Sequence, residues 1–223
     1  MARRRRLAEA ETVVLRLHEP IRDEALPAAL SSASVLLETT LSHLQLVRDE
    51  DLGPLTPDQL RFLAVAEQHA IRLGQVVEDL QLIALSRGDA LEPEWDAVDL
   101  ADVVGHAAAE LAGTAATRGK PIELRVDGPF RTVGDARLFG RLIVGLLAVA
   151  IDEAAPRLPI LLSLEGDRLE IAYAGESLPD ESRLALVLAD ALSTALGGRL
   201  VAAVSEGTVA LRFDPPLETA HAA

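Results

Sequence analysis

The stretch LSSASVLLETTLSHLQLVRDEDLGPLTPDQLRFLAVAEQHAIRLGQVVEDLQLIALSRG, residues 30–88, sets the reading of the whole chain. Apolar or small residues recur at Leu30, Ala33, Leu37, Leu41, Leu44 and Val47. A spacing of three or four residues places them on one face of a helix. That helix is expected to stop near Asp51, with Leu52, Gly53, Pro54 and Leu55 as a tight connection. Thr56 then offers an N-cap, Pro57 the first helical position and Gln59 the return partner of a capping box. A second stripe runs through Leu60, Leu63, Ala66, Ala70, Leu73, Val77, Leu80 and Ala84, and Gly88 is read as a left-handed stop. The spacing predicts an antiparallel helical hairpin over residues 26–88. One hairpin cannot cover both of its stripes, so a homodimer with a four-helix bundle is expected.

On the amino-terminal side, residues 1–25 read as a basic helical segment with Arg3 to Arg6 at its start, and Pro20 and Pro27 argue for a break before the hairpin. On the carboxy-terminal side, residues 89–98 are short, acidic and proline-containing, and read as a linker that carries Trp95. From Asp99, a plausible N-cap, the pattern becomes a helix over 100–118, strands near 121–126 and 131–133, and a helix over 135–152 with Asp135 at its start. Strands at 159–165 and 168–174, a helix over 180–196 stopped by Gly197 and Gly198, and strands at 199–204 and 207–213 complete it. This is an α+β sandwich over residues 99–215 with helices on one face of a mixed sheet. Residues 216–223 read as a disordered tail.

Composition limits what the chain does. Hydrophobic residues make up 49% and aromatic residues 3%, so Leu, Val, Ile and Ala must supply the core. The absence of cysteine removes disulfides, thiolate nucleophiles and Cys-ligated metal sites. The sequence also lacks asparagine and sets twenty arginines against the single Lys120, a bias that thermophily and a GC-rich genome explain equally. A formal net charge of −14 disfavours nucleic acid, in spite of Arg3 to Arg6. No apolar run is long enough for a transmembrane helix and the start lacks the apolar core of a secretory signal, so a cytoplasmic location is expected.

In VRDEDLGPLTPDQLRFL (47–63), VEDLQLIALSRGDALEPEWDAVDLADVV (77–104), GDARLFGRLIVGLLAVAI (134–151) and ALGGRL (195–200), the order and spacing resemble the core of a sensor histidine kinase. That resemblance implies a dimerising hairpin carrying a phosphorylated histidine and an ATP-binding domain of the Bergerat type. It also identifies the stations where the chain departs from the family. The His-Glu-x-x-x-Pro motif falls on Ser31, Ser32, Ala33, Ser34, Val35 and Leu36. The asparagine-bearing helix that contacts magnesium and phosphate falls on Gly145, Leu146, Leu147, Ala148, Val149 and Ala150. The Asp-x-Gly-x-Gly motif for adenine falls on Tyr173 to Pro179 and keeps Gly175, and the glycine-rich turn after a long lid falls on Arg183, Leu184 and Ala185.

Phosphotransfer needs an imidazole nucleophile oriented by an acidic neighbour, and ATP needs donors around its phosphates. The departures therefore predict a non-catalytic adaptor, a pseudokinase that is not an enzyme, binds no ATP and needs no cofactor or metal. Its partner is expected to be a response-regulator receiver domain or a histidine kinase, docked on the outward hairpin surface at Ser31, Ser34, Glu38 and Ser42. The alternative is a histidine phosphotransfer protein that relays phosphate between receiver domains through His18, which precedes Glu19, with His43 as the second candidate. A third reading is a regulatory partner outside two-component signalling, for which the acidic surface permits a basic target. His69, His106 and His221 show no metal or catalytic pattern.

Overall fold

In the computed structural model, residues 12–13, 25–49, 53–88, 90–165, 168–177, 183–205 and 207–214 are described. The chain divides into two compact units, residues 20–90 and residues 1–19 together with 91–223.

The first unit is the helical hairpin. Helix α1 spans Ala25–Arg48 and α2 spans Pro57–Arg87. Pro27 lies in the first turn of α1, where no intrahelical donor is lost, so it starts the helix instead of breaking it. The α2 start is the capping box read from sequence: Gln59 N–H donates to Thr56 Oγ1, and Thr56 N–H donates to Gln59 Oε1 at 2.8 Å. Its end differs from the expected left-handed stop. Gly88 has φ −87° and its N–H donates to Ala84 O at 3.0 Å, closing the last turn in an ordinary conformation. The left-handed glycine of this unit is instead Gly53, at the inter-helix connection with φ +116°. The predicted α1 stripe is the face that meets α2: Leu30 is buried and Ala33, Leu37, Leu41, Leu44 and Val47 are half-buried. Across the hairpin Arg48 Nη1 donates to both Glu67 carboxylate oxygens at 2.8 and 2.9 Å, and Gln81 Nε2 donates to Ser34 Oγ at 3.2 Å.

The second unit is the α/β sandwich. Its six-stranded mixed sheet runs β1-β7-β8-β6-β5-β3, with β1 Thr12–Val13, β3 Ile122–Val126, β5 Ile160–Glu165, β6 Arg168–Ala174, β7 Arg199–Ser205 and β8 Thr208–Asp214. Among the described pairs of this sheet, only β3–β5 is parallel. A separate antiparallel ribbon joins β2 Asp96–Asp99 to β4 Arg131–Gly134. Helices α3 Leu100–Thr117, α4 Ala136–Glu153 and α5 Arg183–Ala195 complete the unit, with α4 packed against both of the others. Strand alternation supplies the core: Leu169, Ile171 and Tyr173 of β6 and Val209, Leu211 and Phe213 of β8 are all buried, and the Phe213 ring meets Phe139 of α4 edge-on at 5.9 Å.

Two expectations for the ends of this unit need correction. The stretch read as a linker over 89–98 contains most of strand β2, because Val98 turns inward opposite Thr132 of β4 while Ala97 and Val133 face out. The amino-terminal segment read as a helix lies outside the described residues except at Thr12 and Val13, which pair with Ala203 and Ala202 as an edge strand. β-branched residues favour that extended pairing. Arg3 to Arg6, His18 and the tail 216–223 also lie outside the described residues.

Two polar groups fix α4 at its ends. At the start, Asp135, 4% exposed, accepts from Arg137 N and Leu138 N with one oxygen and from Glu94 N with the other. At the far end the ammonium of Lys120, 8% exposed, donates to Ile151 O at 2.7 Å and Asp152 O at 2.9 Å. A cation at a helix carboxy terminus meets both the bare carbonyls and the negative end of the helix dipole. After α5, Gly197 adopts φ +71°, and a Cβ at Gly198 would lie 2.4 Å from the Phe213 ring. Both glycines of the expected stop are therefore required, one for conformation and one for packing.

Candidate functional site

The hairpin surface is built from a helix with almost no charge. Between Ala25 and Arg48, Glu38 and the terminal Arg48 are the only charged residues of α1. Most of its hydroxyl side chains turn back on their own backbone. Ser32 Oγ donates to Ala28 O at 2.9 Å, Thr39 Oγ1 to Val35 O and Thr40 Oγ1 to Leu36 O at 2.8 Å, and Ser42 Oγ to Glu38 O at 2.9 Å. Such bonds satisfy each hydroxyl locally. His43 does the same: its Nδ1 lies 2.7 Å from Thr39 O, and because a carbonyl only accepts, Nδ1 is the donor, which in a neutral ring leaves the lone pair on Nε2.

Four residues stand out as the expected docking positions. Ser31, Glu38 and Ser42 are exposed. Ser34 is not, because it faces α2, where it donates to Leu30 O and receives Gln81 Nε2. Ser34 therefore serves the hairpin's own packing rather than an outward surface. Sequence reasoning missed a second apolar set that α1 and α2 leave exposed: Val35, Leu36, Leu46, Phe62, Val65 and Ile71. The near absence of charge on α1 was the available signal. On α2 the predicted single stripe splits, with Leu63, Ala70 and Val77 turned toward α1 and Leu60, Leu73 and Leu80 left outward. His43 and His69 are exposed on the hairpin and His106 on α3.

In the sandwich, the stations of the nucleotide motifs lie on α4 and at the end of β6. Leu146, Leu147, Val149 and Ala150 are buried in the core, while a Cβ at Gly145 would meet nothing within 4 Å. Val149 at 2% exposure has no access to a ligand. Tyr173 is also 2% exposed, and its hydroxyl has no hydrogen-bond partner. Burial first, and the neighbouring Glu153 charge second, push the phenol pKa up. Its ring lies against Gly175, where a Cβ would approach to 3.2 Å, so a side chain there would press on the ring. Residues 175–182 separate β6 from α5, and of these 178–182 lie outside the described residues. The family's way of holding ATP and magnesium uses polar groups on α4 and a carboxylate at the end of β6. The apolar wall of α4 and the buried phenol do not fit that arrangement, and no step through a nucleotide follows from it. Among the described residues, no group of three or more His, Asp or Glu side chains is placed to hold a metal, and no helix is long and apolar enough to cross a membrane.

No protein-family model matches the sequence, and no curated protein matches it. Solved structures do match the fold. The Acinetobacter baumannii histidine kinase AdeS superposes with a TM-score of 0.62 at 18% identity, over 82% of this chain and 96% of that one. Full-length ShkA in complex with AMPPNP gives 0.69 at 21% identity, over 85% of this chain and 46% of that one. The cytoplasmic segment of histidine kinase QseC gives 0.57 at 14%, over 66% and 93%.

The chain therefore has a histidine-kinase-like core, an α+β fold with a helical hairpin ahead of an ATPase-like sandwich. These comparisons also correct the expectation that the chain is no enzyme. AdeS and QseC, whose structures share this fold, are histidine kinases, which are enzymes, and nothing in them marks the fold as that of a pseudokinase.

Proposed function

We propose that this chain works in two-component signalling as a homodimer, with two hairpins paired in a four-helix bundle whose outward surface docks a receiver domain. The observation that supports the dimer is the second apolar set on helices that already pack on each other. Leu36 at 69% and Phe62 at 68% exposure remain in water. Large apolar side chains left in water on both helices are the kind of surface that an interaction covers. The hydroxyls of Ser32, Ser34, Thr39, Thr40 and Ser42 bring no unmet donors into such an interface, since each donates to a carbonyl of its own helix. Receiver docking is then left to the polar positions Ser31, Glu38 and Ser42.

Size-exclusion chromatography with light scattering tests the dimer: the parent should give twice the chain mass, and Leu36→Glu with Phe62→Glu the single mass. A parent that is monomeric at high concentration sinks this reading. Titration with purified receiver domains tests docking, with loss of binding expected for Glu38→Arg.

A second reading, phosphate relay, is supported by His43, which is exposed and, with Nδ1 bonded to Thr39 O, has Nε2 as the nucleophilic nitrogen of its neutral ring. His18, the alternative drawn from sequence, lies outside the described residues. Incubation with a phosphorylated receiver domain, and separately with ATP and magnesium, separates the sources of phosphate. Transfer lost on His43→Ala assigns the acceptor to α1, and transfer lost on His18→Ala assigns it to the amino-terminal segment.

A further inference from the structure

The hairpin has two flanks of opposite character. On α1 the residues just before the inward-facing Leu37, Leu41 and Leu44 are Leu36, Thr40 and His43, all exposed. On α2 the residues just before the inward-facing Leu63, Ala70 and Val77 are Phe62, His69 and Val76. One residue is about 100° of rotation on an α-helix, so each set is turned from its inward stripe in the same sense along its own chain. The two helices run antiparallel, with Arg48 bonded to Glu67 and Ser34 to Gln81. In an antiparallel pair, equal rotations bring both sets to one side of the hairpin. The residues just after the inward ones, Glu38, Ser42 and Gln45 on α1 and Ala64, Ile71 and Glu78 on α2, make the other side.

The first flank carries a second helix seam. Leu36, Thr40 and His43 follow one another by four and three residues, and Phe62, Ala66, His69, Leu73, Val76 and Leu80 keep the same alternation. That alternation is the heptad spacing of packed helices. None of these positions is Asp, Glu, Lys or Arg, in a protein of net charge −14, whereas Glu38 and Glu78 occupy the opposite flank. Two copies of so acidic a chain repel where carboxylates meet, and a pair of antiparallel seams is matched by another such pair. Both features fit a second copy as the occupant.

His43 and His69 are the titratable groups of this seam. The charges around them are turned elsewhere. Arg48 pairs with Glu67 and with Asp49, and Asp58 at the start of α2 pairs with Arg61. Arg72, three residues after His69, adds positive charge, and Asp79 lies about three turns beyond His69. An imidazolium here therefore meets another cation sooner than a carboxylate.

We infer that this flank is the face on which a second copy packs, and that His43 and His69 make the pairing depend on pH. The inference rests on the dimer reading above and needs no phosphate relay. Neutral rings enter an apolar contact, whereas charged rings lose hydration that nothing on the flank replaces. Imidazole is the side chain that changes charge between pH 5 and 8. The dimer thus binds fewer protons than two separate chains, so its dissociation constant rises as pH falls. A ring that must enter neutral weakens pairing roughly tenfold per pH unit below the ordinary imidazole value of about 6.5.

Sedimentation equilibrium of the full chain at constant ionic strength should give a dimer dissociation constant at least tenfold higher at pH 5.5 than at pH 7.5, with far-ultraviolet circular dichroism unchanged. His43→Gln with His69→Gln should bring that ratio below about threefold, and His43→Leu with His69→Leu should do the same while tightening the dimer. His106→Gln, on α3, should keep the parent ratio. A parent that is dimeric at pH 7.5 and equally tight at pH 5.5 overturns the pH dependence and leaves the dimer standing, whereas a parent monomeric at both pH values overturns the two together. An undiminished ratio in the double Gln variant, or a weakening that tracks loss of helical signal, overturns the histidines as the sensor.

Discussion

In the sandwich, Phe139, Leu147, Leu162 and Val209 are entirely out of water, whereas among the described residues of the hairpin only Leu30, Val77 and Ile83 are buried and Leu36 and Phe62 stay mostly exposed. Both units draw on the same aliphatic vocabulary. The difference lies in geometry: a sheet covered by three helices closes over its inward residues, while two helices have only one mutual face. A single chain can thus complete the sandwich but not the hairpin, which is why the interaction surface is sought on the latter.

The contrast can be broken on either side. The largest effect is expected from Leu162→Ala at the centre of β5, which should cost about 3 kcal/mol by transfer and cavity terms. Denaturant unfolding followed by circular dichroism would detect it, and a loss under about 1 kcal/mol would show that the sandwich core relaxes more freely than its packing suggests. Asp135→Ala comes next, at about 1–2 kcal/mol, because it removes the α4 cap and leaves Glu94 N–H without its acceptor. Asp135→Ser should recover much of the loss.

Tyr173→Phe is expected to act in the opposite direction, with a gain of up to about 1 kcal/mol, since the hydroxyl it deletes is buried without a partner. The sign of its pH dependence follows from the raised phenol pKa. The stability belonging to the neutral phenol is fully present below the unfolded value of about 10 and is lost as pH rises above it. Tyr173→Phe should flatten that alkaline decline, seen as a melting temperature less sensitive to pH. The smallest effect is expected from Arg48→Ala. Arg48 keeps 45% of its side chain in solvent, so its pair with Glu67 should contribute little, a loss near the detection limit of denaturant unfolding, and weaken with salt.

Local signals made much of the fold legible. Thr56, Pro57 and Gln59 read as a helix start because capping is decided within four residues, and the same holds for Asp99 and Asp135. Strand β6 was readable over 168–174 because alternation is a local pattern. What could not be read depends on partners distant in sequence. β2 is a strand because β4 lies beside it, and β1 because β7 does. The α2 stripe could not be divided into inner and outer halves without knowing which turn of α1 it meets. At the candidate site, the departures at Ser31, Gly145 and Tyr173 were visible as residues, but the burial of Tyr173 and the proton placement on His43 required coordinates.

Lys120 carries one last consequence. It is the only lysine of the chain, and its amine is folded away on the carbonyls of Ile151 and Asp152. Amine-directed acylation of the native protein should therefore stop at the terminal amino group, and modification of Lys120 should appear only as the sandwich opens. The chain thus holds a single built-in chemical clock for the unfolding of one unit, which an acylating reagent and a mass spectrometer can read without any engineered label.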